Sequence, residues 1–226
     1  MQLFNFYQRK GMSRIIIIDY GSGNIRSVFN ALKKISNKSV KISSKKEDLK
    51  SATHLILPGV GSFESCVNGL KKSNVLETLE EIVFNKKTPF LGICVGMQML
   101  ATKGFEKGEF SGLDWIQGEV RRINVKKNKL KIPHMGWNSL IFKKRTNFTD
   151  KLLKRIGMNY TDEITAYFVH SYNFNTENKC DKIISTQYGE EVTAMVAKEN
   201  IYGTQFHPEK SHTFGLAFLK TFLEQN

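Results

Sequence analysis

Cysteine is scarce in this 226-residue chain, and the three present, Cys66, Cys94 and Cys180, form no CxxC pair. An odd, dispersed set argues against a disulfide framework or a zinc ribbon and fits a reducing, cytoplasmic setting. No His-x-x-x-His or comparable metal spacing occurs, and no GxxxxGK(S/T) loop for nucleotide phosphates. Neither a metal nor another cofactor is expected. Long apolar runs are also missing. The longest near the start is Ile15 to Ile18, far short of the ~20 residues that cross a bilayer, so no membrane partner is expected. The absence of a Pro/Gly/Ser-rich linker, an internal repeat or a low-complexity tract favours one domain. What is abundant is core material: 40% apolar and 11% aromatic residues exclude disorder as the main state.

Acidic residues are outnumbered, 21 against 34 lysines and arginines, for a formal net charge of +13. Such a surface raises the question of nucleic acid. The lysines, however, fall in scattered pairs such as Lys33-Lys34, Lys45-Lys46, Lys71-Lys72 and Lys86-Lys87, without a binding module or an aromatic platform beside them. They read as solvated faces, and no nucleic-acid partner is expected. Residues 1–11, MQLFNFYQRKG, carry bulky aromatics and a late Arg-Lys pair, which is not the order of a secretory signal. They read as a poorly ordered extension, with Met12 as an alternative start and the domain running from 12 to 226.

From Arg14 the run RIIIID, the turn YGSGN and the amphipathic SVFNALKKI read as strand, turn and helix. HLIL before Pro58-Gly59-Val60-Gly61, and PFLGI before Cys94, read as further buried strands. Residues 76–84 have helical periodicity, and MQMLAT reads as a helix start. This alternation predicts an α/β fold with a largely parallel central sheet flanked by helices. After residue 118 the pieces EVRRINV, KLKIP, TAYFVHSY, KIISTQY, EVTAMVA and IYGTQF predict an additional β-rich region, closed by the helix LAFLKTFLEQ. PHMGWN reads as a turn.

Gly92-x-Cys94-x-Gly96, between a buried strand and a helix, has the layout of a nucleophile elbow with sulfur as the nucleophile. A strained turn needs neighbours without side chains, and a helix N-terminus favours the thiolate. The Val95 N–H would face an oxyanion, with a second donor at Val60 between its glycines. Cys94 could instead be an inert core cysteine. GTQFHPEKS decides against this, because His207 and Glu209, two residues apart in an extended segment, share a face. Glu209 can orient the imidazole while His207 takes the thiol proton. The other histidines compare poorly: His54 begins a strand, His134 sits in PHMGWN, His170 in YFVHSY, and His212 at the last helix. Gly21-x-Gly23 has Arg26 where a dinucleotide fingerprint needs its third glycine, so a tight turn is the reading.

With these motifs in view, the chain from about Arg14 resembles the class I (triad) glutamine amidotransferases, and among them the glutaminase subunits of imidazole glycerol phosphate synthase. GICVGMQ is similar to that family's nucleophile motif, QFHPEKS to its His-Glu motif and LPGVGSF to its oxyanion strand. DYGSGN, KIPHMGWN and YFVHSY match the synthase subunit in particular. The resemblance implies hydrolysis of L-glutamine to glutamate and ammonia through a cysteinyl thioester. It implies substrate contacts at Gln98, Glu106, Ser171 and Tyr172, and a partner interface at Asn24, Trp137, Asn138 and Lys210. The implied partner is a cyclase subunit that receives the ammonia in histidine biosynthesis, as a heterodimer. Residues 99–115, MLATKGFEKGEFSGLDW, depart from the FESSEEG-like stretch of many histidine-pathway subunits. They are similar to paralogues that supply ammonia to sugar amidotransferases in surface-polysaccharide synthesis, the alternative destination.

Overall fold

The computed structural model describes residues 14–21, 24–125 and 130–225. The proposed extension 1–11, with Met12, lies outside the described residues, as does Gly23 of the first glycine turn. The first half contains β1 (Arg14–Ile18), α1 (Ile25–Ile35), β2 (Ser39–Ser43), α2 (Lys46–Lys50), β3 (His54–Gly59), α3 (Phe63–Lys72), α4 (Leu76–Glu80), β4 (Phe90–Cys94) and α5 (Val95–Gln98). Then follow β5 (Lys103–Gly104), β6 (Phe110–Ser111), β7 (Gly118–Arg122), β8 (His134–Ser139), β9 (Ile141–Phe142), α6 (Asn147–Ile156), β10 (Thr165–His170) and β11 (Tyr172–Thr176). The chain closes with β12 (Lys182–Tyr188), β13 (Glu190–Lys198), β14 (Ile201–Thr204) and α7 (His212–Phe222). Among the described residues no helix is long and apolar enough to cross a membrane.

The central sheet has eight strands in the order β2-β1-β3-β4-β14-β13-β12-β9. The five from β2 to β14 are parallel, and the last three extend the sheet antiparallel. β1, β3 and β4 are buried almost end to end, which is why they read as continuous apolar runs rather than alternating ones. Right-handed crossovers send α1, between β1 and β2, to the opposite face from α3, between β3 and β4. α6 and α7 pack together, and α7 also meets α1. The β-rich second half supplies a β8–β10 ribbon and a side sheet in the order β11-β7-β5-β6.

Four readings of local structure change. PHMGWN is not a turn. His134 to Ser139 form β8, paired antiparallel with β10 so that His134 faces His170. KLKIP is not a strand: Lys129 lies outside the described residues, and Leu130 to Pro133 are irregular. Pro133 has no N–H to give a ladder. The helix after Cys94 lasts one turn, because residues 99–101 turn away to lead into the side sheet. The stretch 76–84 is α4 continued by a π turn, Glu81–Asn85. A helix that hydrophobic runs alone did not mark, α6, opens with a capping box between Thr146 and Thr149 and closes at Gly157 in the left-handed region.

Only backbone fits between β3, β4 and α5. A Cβ on Gly96 would collide with the Leu57 carbonyl, and one on Gly92 or Gly59 would collide with the Gly96 backbone. Gly96→Ala is therefore expected to cost about 3 kcal/mol by denaturant unfolding, since a main chain must move. Gly157→Ala, with φ of 67° but open space around it, should cost only about 1 kcal/mol. Equal losses would show that the elbow is not tightly packed.

Candidate active site

Four adjacent parallel strands, β1, β3, β4 and β14, end at the same edge of the sheet. The segments leaving them carry Asn24, Val60, Cys94 and His207, in that spatial order, into one cavity of about 450 Å³. Strand ends at such an edge are the usual place for chemistry in open α/β sheets. The same cavity is lined by Val95, Gln98, Glu106, His170, Ser171, Tyr172 and Lys210.

Cys94 has φ of 57° and ψ of −113°, a conformation costly for any residue with a Cβ. The β3–β4 register places Cys94 opposite Gly59, and the close approach of Gly96 to Leu57 leaves the chain no relaxed path. Cys94 is almost wholly buried. Val95 is the first residue of α5, so its N–H belongs to the helical turn that lacks internal acceptors. Val60 follows Gly59, lines the cavity, and accepts a hydrogen bond on its carbonyl from the buried Cys66 thiol at 3.4 Å.

His207 is placed by its own backbone, whose N–H donates to the Tyr167 carbonyl at 2.9 Å, and by Pro208, which opens a short 3₁₀ turn. Its Nδ1 lies 2.9 Å from Glu209 Oε1, and both side chains are nearly inaccessible. Glu209 Oε1 also accepts from Asn24 Nδ2 at 3.3 Å. Asn24, expected at a partner face, is thus also part of the triad's own scaffold, held in the left-handed region at the start of α1. Burial by itself would lower the His207 pKa. The Cys94 sulfur and the Glu209 carboxylate override it and raise the imidazolium to about 10. His207 Nε2 is buried and has no hydrogen-bond partner among the described residues.

The expected substrate contacts separate by environment. Glu106 accepts from the Phe63 N–H at 2.7 Å, its carboxylate set against the first turn of α3. Ser171 and Tyr172, at the junction of β10 and β11, are half-buried on the cavity wall. Gln98 is buried, and its Nε2 is occupied by the Tyr172 carbonyl at 3.2 Å and Gln205 Oε1 at 2.8 Å. Trp137 is 46% exposed and stacks on His212 with centroids 4.7 Å apart, while Lys210 lies over the Tyr167 ring. Asn138 donates to the Gln187 carbonyl at 3.0 Å and to His134.

The sequence reading passed over Gln205, His134 and His170. Gln205 is fully buried and donates to the Cys94 sulfur at 3.6 Å. Gln205 sits two residues before His207, but β14 ends at Thr204 and a 3₁₀ turn begins at Pro208, so strand periodicity does not by itself put it beside Cys94. His134 and His170, 2.9 Å apart, meet only through the β8–β10 register. Burial lowers their pKa values to about 4 and about 3, so both are neutral near pH 7.

The raised His207 pKa has a pH consequence. Its stabilisation is complete below about pH 6.5, the ordinary histidine value, and is lost as pH rises through about 10. Denaturant unfolding should therefore show the unmodified chain exceeding Glu209→Gln in stability at pH 6 to 7. That advantage should shrink steadily toward pH 10. A pH-independent difference would contradict a charged His207.

The class-I glutamine amidotransferase family matches residues 16–226. Among curated relatives, the imidazole glycerol phosphate synthase subunit HisH of Pelagibacter ubique is 42% identical over 92% of this chain and 98% of its own length. The HisH subunits of Zymomonas mobilis and Bradyrhizobium diazoefficiens are 41% and 44% identical, over 97% and 92% of this chain and 99% and 97% of their own. Among solved structures, a glutamine amidotransferase covers 92% of this chain and 97% of its own with a TM-score of 0.68 at 18% identity. PurLQS from Thermotoga maritima gives 0.67 at 17% identity, over 94% of this chain and 98% of that one. At those identities the structures show the fold alone; the family and the relatives go further, and the chain belongs to the class-I glutamine amidotransferases, within the family of imidazole glycerol phosphate synthase HisH subunits.

Proposed function

We propose that this chain is the glutaminase subunit of an imidazole glycerol phosphate synthase. The observation that carries the reading is the strained Cys94 at a strand-to-helix elbow, sharing one cavity with an imidazole that Glu209 fixes at 2.9 Å. The Cys94 sulfur attacks the side-chain amide carbon of glutamine, and the oxygen develops negative charge. Val95 and Val60 supply the backbone N–H groups for that oxyanion. His207 gives its proton to the departing nitrogen, ammonia leaves, and a glutamyl thioester remains. Water, deprotonated by His207, then attacks the thioester carbonyl. The C–S bond breaks with its electron pair going to sulfur, glutamate is released, and the Cys94 thiolate and His207 imidazolium are restored. Glu209 supports each charged state of the imidazole. Gln98, Glu106, Ser171 and Tyr172, which line the same cavity, hold the amino-acid end of glutamine in this reading.

Ammonia set free in water is protonated and loses its nucleophilicity, so a partner must take it up at the site. Met135 and Trp137 project from β8 and are 62% and 46% exposed; Met135 pairs with the cavity-lining Val169, and Trp137 packs on Tyr167, over which Lys210 also lies. That surface suits docking of the cyclase subunit, in a heterodimer, with ammonia passed on for ring closure in histidine biosynthesis. Relatives that match over nearly the whole of both chains favour this destination over a sugar amidotransferase. In the departing stretch 99–115, the short strands β5 and β6 belong to the side sheet, and Glu106 reaches the cavity.

Two measurements follow. Adding the chain to a cyclase subunit that uses ammonia should confer use of glutamine, and failure to do so rejects the pairing. In the complex, Cys94→Ala should lower glutamine-dependent synthesis by about a thousandfold or more and leave ammonia-dependent synthesis unchanged. Loss of both would reject the assigned role of Cys94.

A further inference from the structure

Gln205 is fully buried, and both ends of its amide are engaged: Nε2 toward the Cys94 sulfur at 3.6 Å and Oε1 toward Gln98 Nε2 at 2.8 Å. The amide cannot be reversed. The Tyr172 carbonyl only accepts, so the Gln98 atom 3.2 Å from it must be Nε2, and Gln205 must present its oxygen to that same nitrogen. Its N–H is then left for the sulfur. The same carbonyl, 2.8 Å from His170 Nδ1, puts the proton on that nitrogen and makes His170 Nε2 an acceptor for His134 Nδ1 at 2.9 Å. His134 Nε2 in turn accepts from Asn138 at 3.1 Å. Asn138 reaches the same polarity independently, since its Oδ1 accepts from the Ser139 N–H at 2.8 Å and its Nδ2 donates to the Gln187 carbonyl. Two separate backbone anchors thus require one set of tautomers and amide orientations.

We propose that Gln205 is a fixed hydrogen-bond donor to the nucleophile, biasing Cys94 toward the thiolate and receiving the sulfur when the thioester breaks. The role differs from that of His207, which moves protons, because the Gln205 N–H never leaves. The Val169 carbonyl, 3.9 Å from the sulfur, has the opposite polarity and accepts from the thiol. The titratable and charged groups that share the cavity with Cys94 are His207, backed by Glu209, on the β14 side, His170 and Tyr172 from β10 and β11, and Glu106 and Lys210. His170 is also neutral and fixed in direction, but its two ring nitrogens are engaged by Tyr172 and His134, whereas Gln205 aims its N–H at the sulfur. The inference rests on Cys94 as the nucleophile of the proposed glutaminase, so its test is made without glutamine turnover.

The test is the pH dependence of iodoacetamide alkylation at Cys94 in the full chain, read by peptide mass spectrometry to separate it from Cys66 and Cys180. Gln205→Leu removes the donor at similar volume. Gln205→Glu keeps an oxygen for Gln98 and sets a second oxygen against the sulfur. The alkylation midpoint should rise by about one to two pH units in Gln205→Leu and further in Gln205→Glu. A midpoint unmoved in Gln205→Glu, with the chain folded by circular dichroism, would reduce Gln205 to packing and overturn the proposal. A readout that leaves Gln205 intact covers the case in which neither variant folds. The ¹⁵N–¹H side-chain resonance of Gln205 should shift with the Cys94 titration and stay constant with pH in Cys94→Ser. The same pH response in both proteins would also overturn it. Failure of glutamine hydrolysis with a normal alkylation shift would instead count against the glutaminase reading.

Discussion

Where β3 and β4 meet the first turn of α5 there is no room for a single Cβ. That exclusion sets the rest of the site. Gly59, Gly92 and Gly96 let three backbones touch, and the contact leaves Cys94 at φ of 57° with its sulfur turned into the cavity. The strain is local, but the restraint is not, because β3 and β4 are interior strands of the eight-stranded sheet and cannot yield separately. The energy that holds the cysteine in an unfavourable backbone well comes from the burial of the aliphatic strands beneath it, Ile15 to Ile18, Leu55 to Leu57 and Phe90 to Ile93.

With the nucleophile fixed, strand order supplies the remaining parts. β14 runs parallel beside β4, so the segment that leaves it delivers Gln205 and His207 to the side of Cys94 opposite Val60. Asn24, from the end of β1, reaches past them to Glu209. Charge is arranged with the same economy. His207 is held charged by a carboxylate and a sulfur, whereas burial keeps His170 and His134 neutral a few side chains away. One imidazole is poised to move protons, and two serve as directional links between backbone anchors.

The sequence made the elbow legible because glycine spacing reports a steric need directly; His207 and Glu209 do meet as read, but through the 3₁₀ turn that Pro208 opens and not through an extended segment. The buried parallel strands were equally plain, since strands covered on both sides read as unbroken apolar runs. Contacts set by register were not legible. Nothing local to PHMGWN or YFVHSY says that His134 and His170 pair, and the glycine and proline of KIPHMGWN imitate a turn where β8 runs. Gln205 lies two residues before His207, just past the end of β14. It gained meaning only when β14 was seen beside β4. Helix α6 escaped a reading based on apolar periodicity, although Thr146, Thr149 and Gly157 mark both its ends.

The central claim is that Cys94 carries the acyl group of glutamine during turnover. Its most direct test is peptide mass spectrometry of the chain, quenched in acid while it hydrolyses glutamine in the presence of a cyclase partner. One glutamyl group on the peptide containing Cys94, absent from Cys66 and Cys180 and lost on longer incubation without glutamine, is the predicted result. Sustained turnover with no adduct on Cys94 in a rapid-quench time course, or an adduct on either other cysteine, would contradict the account.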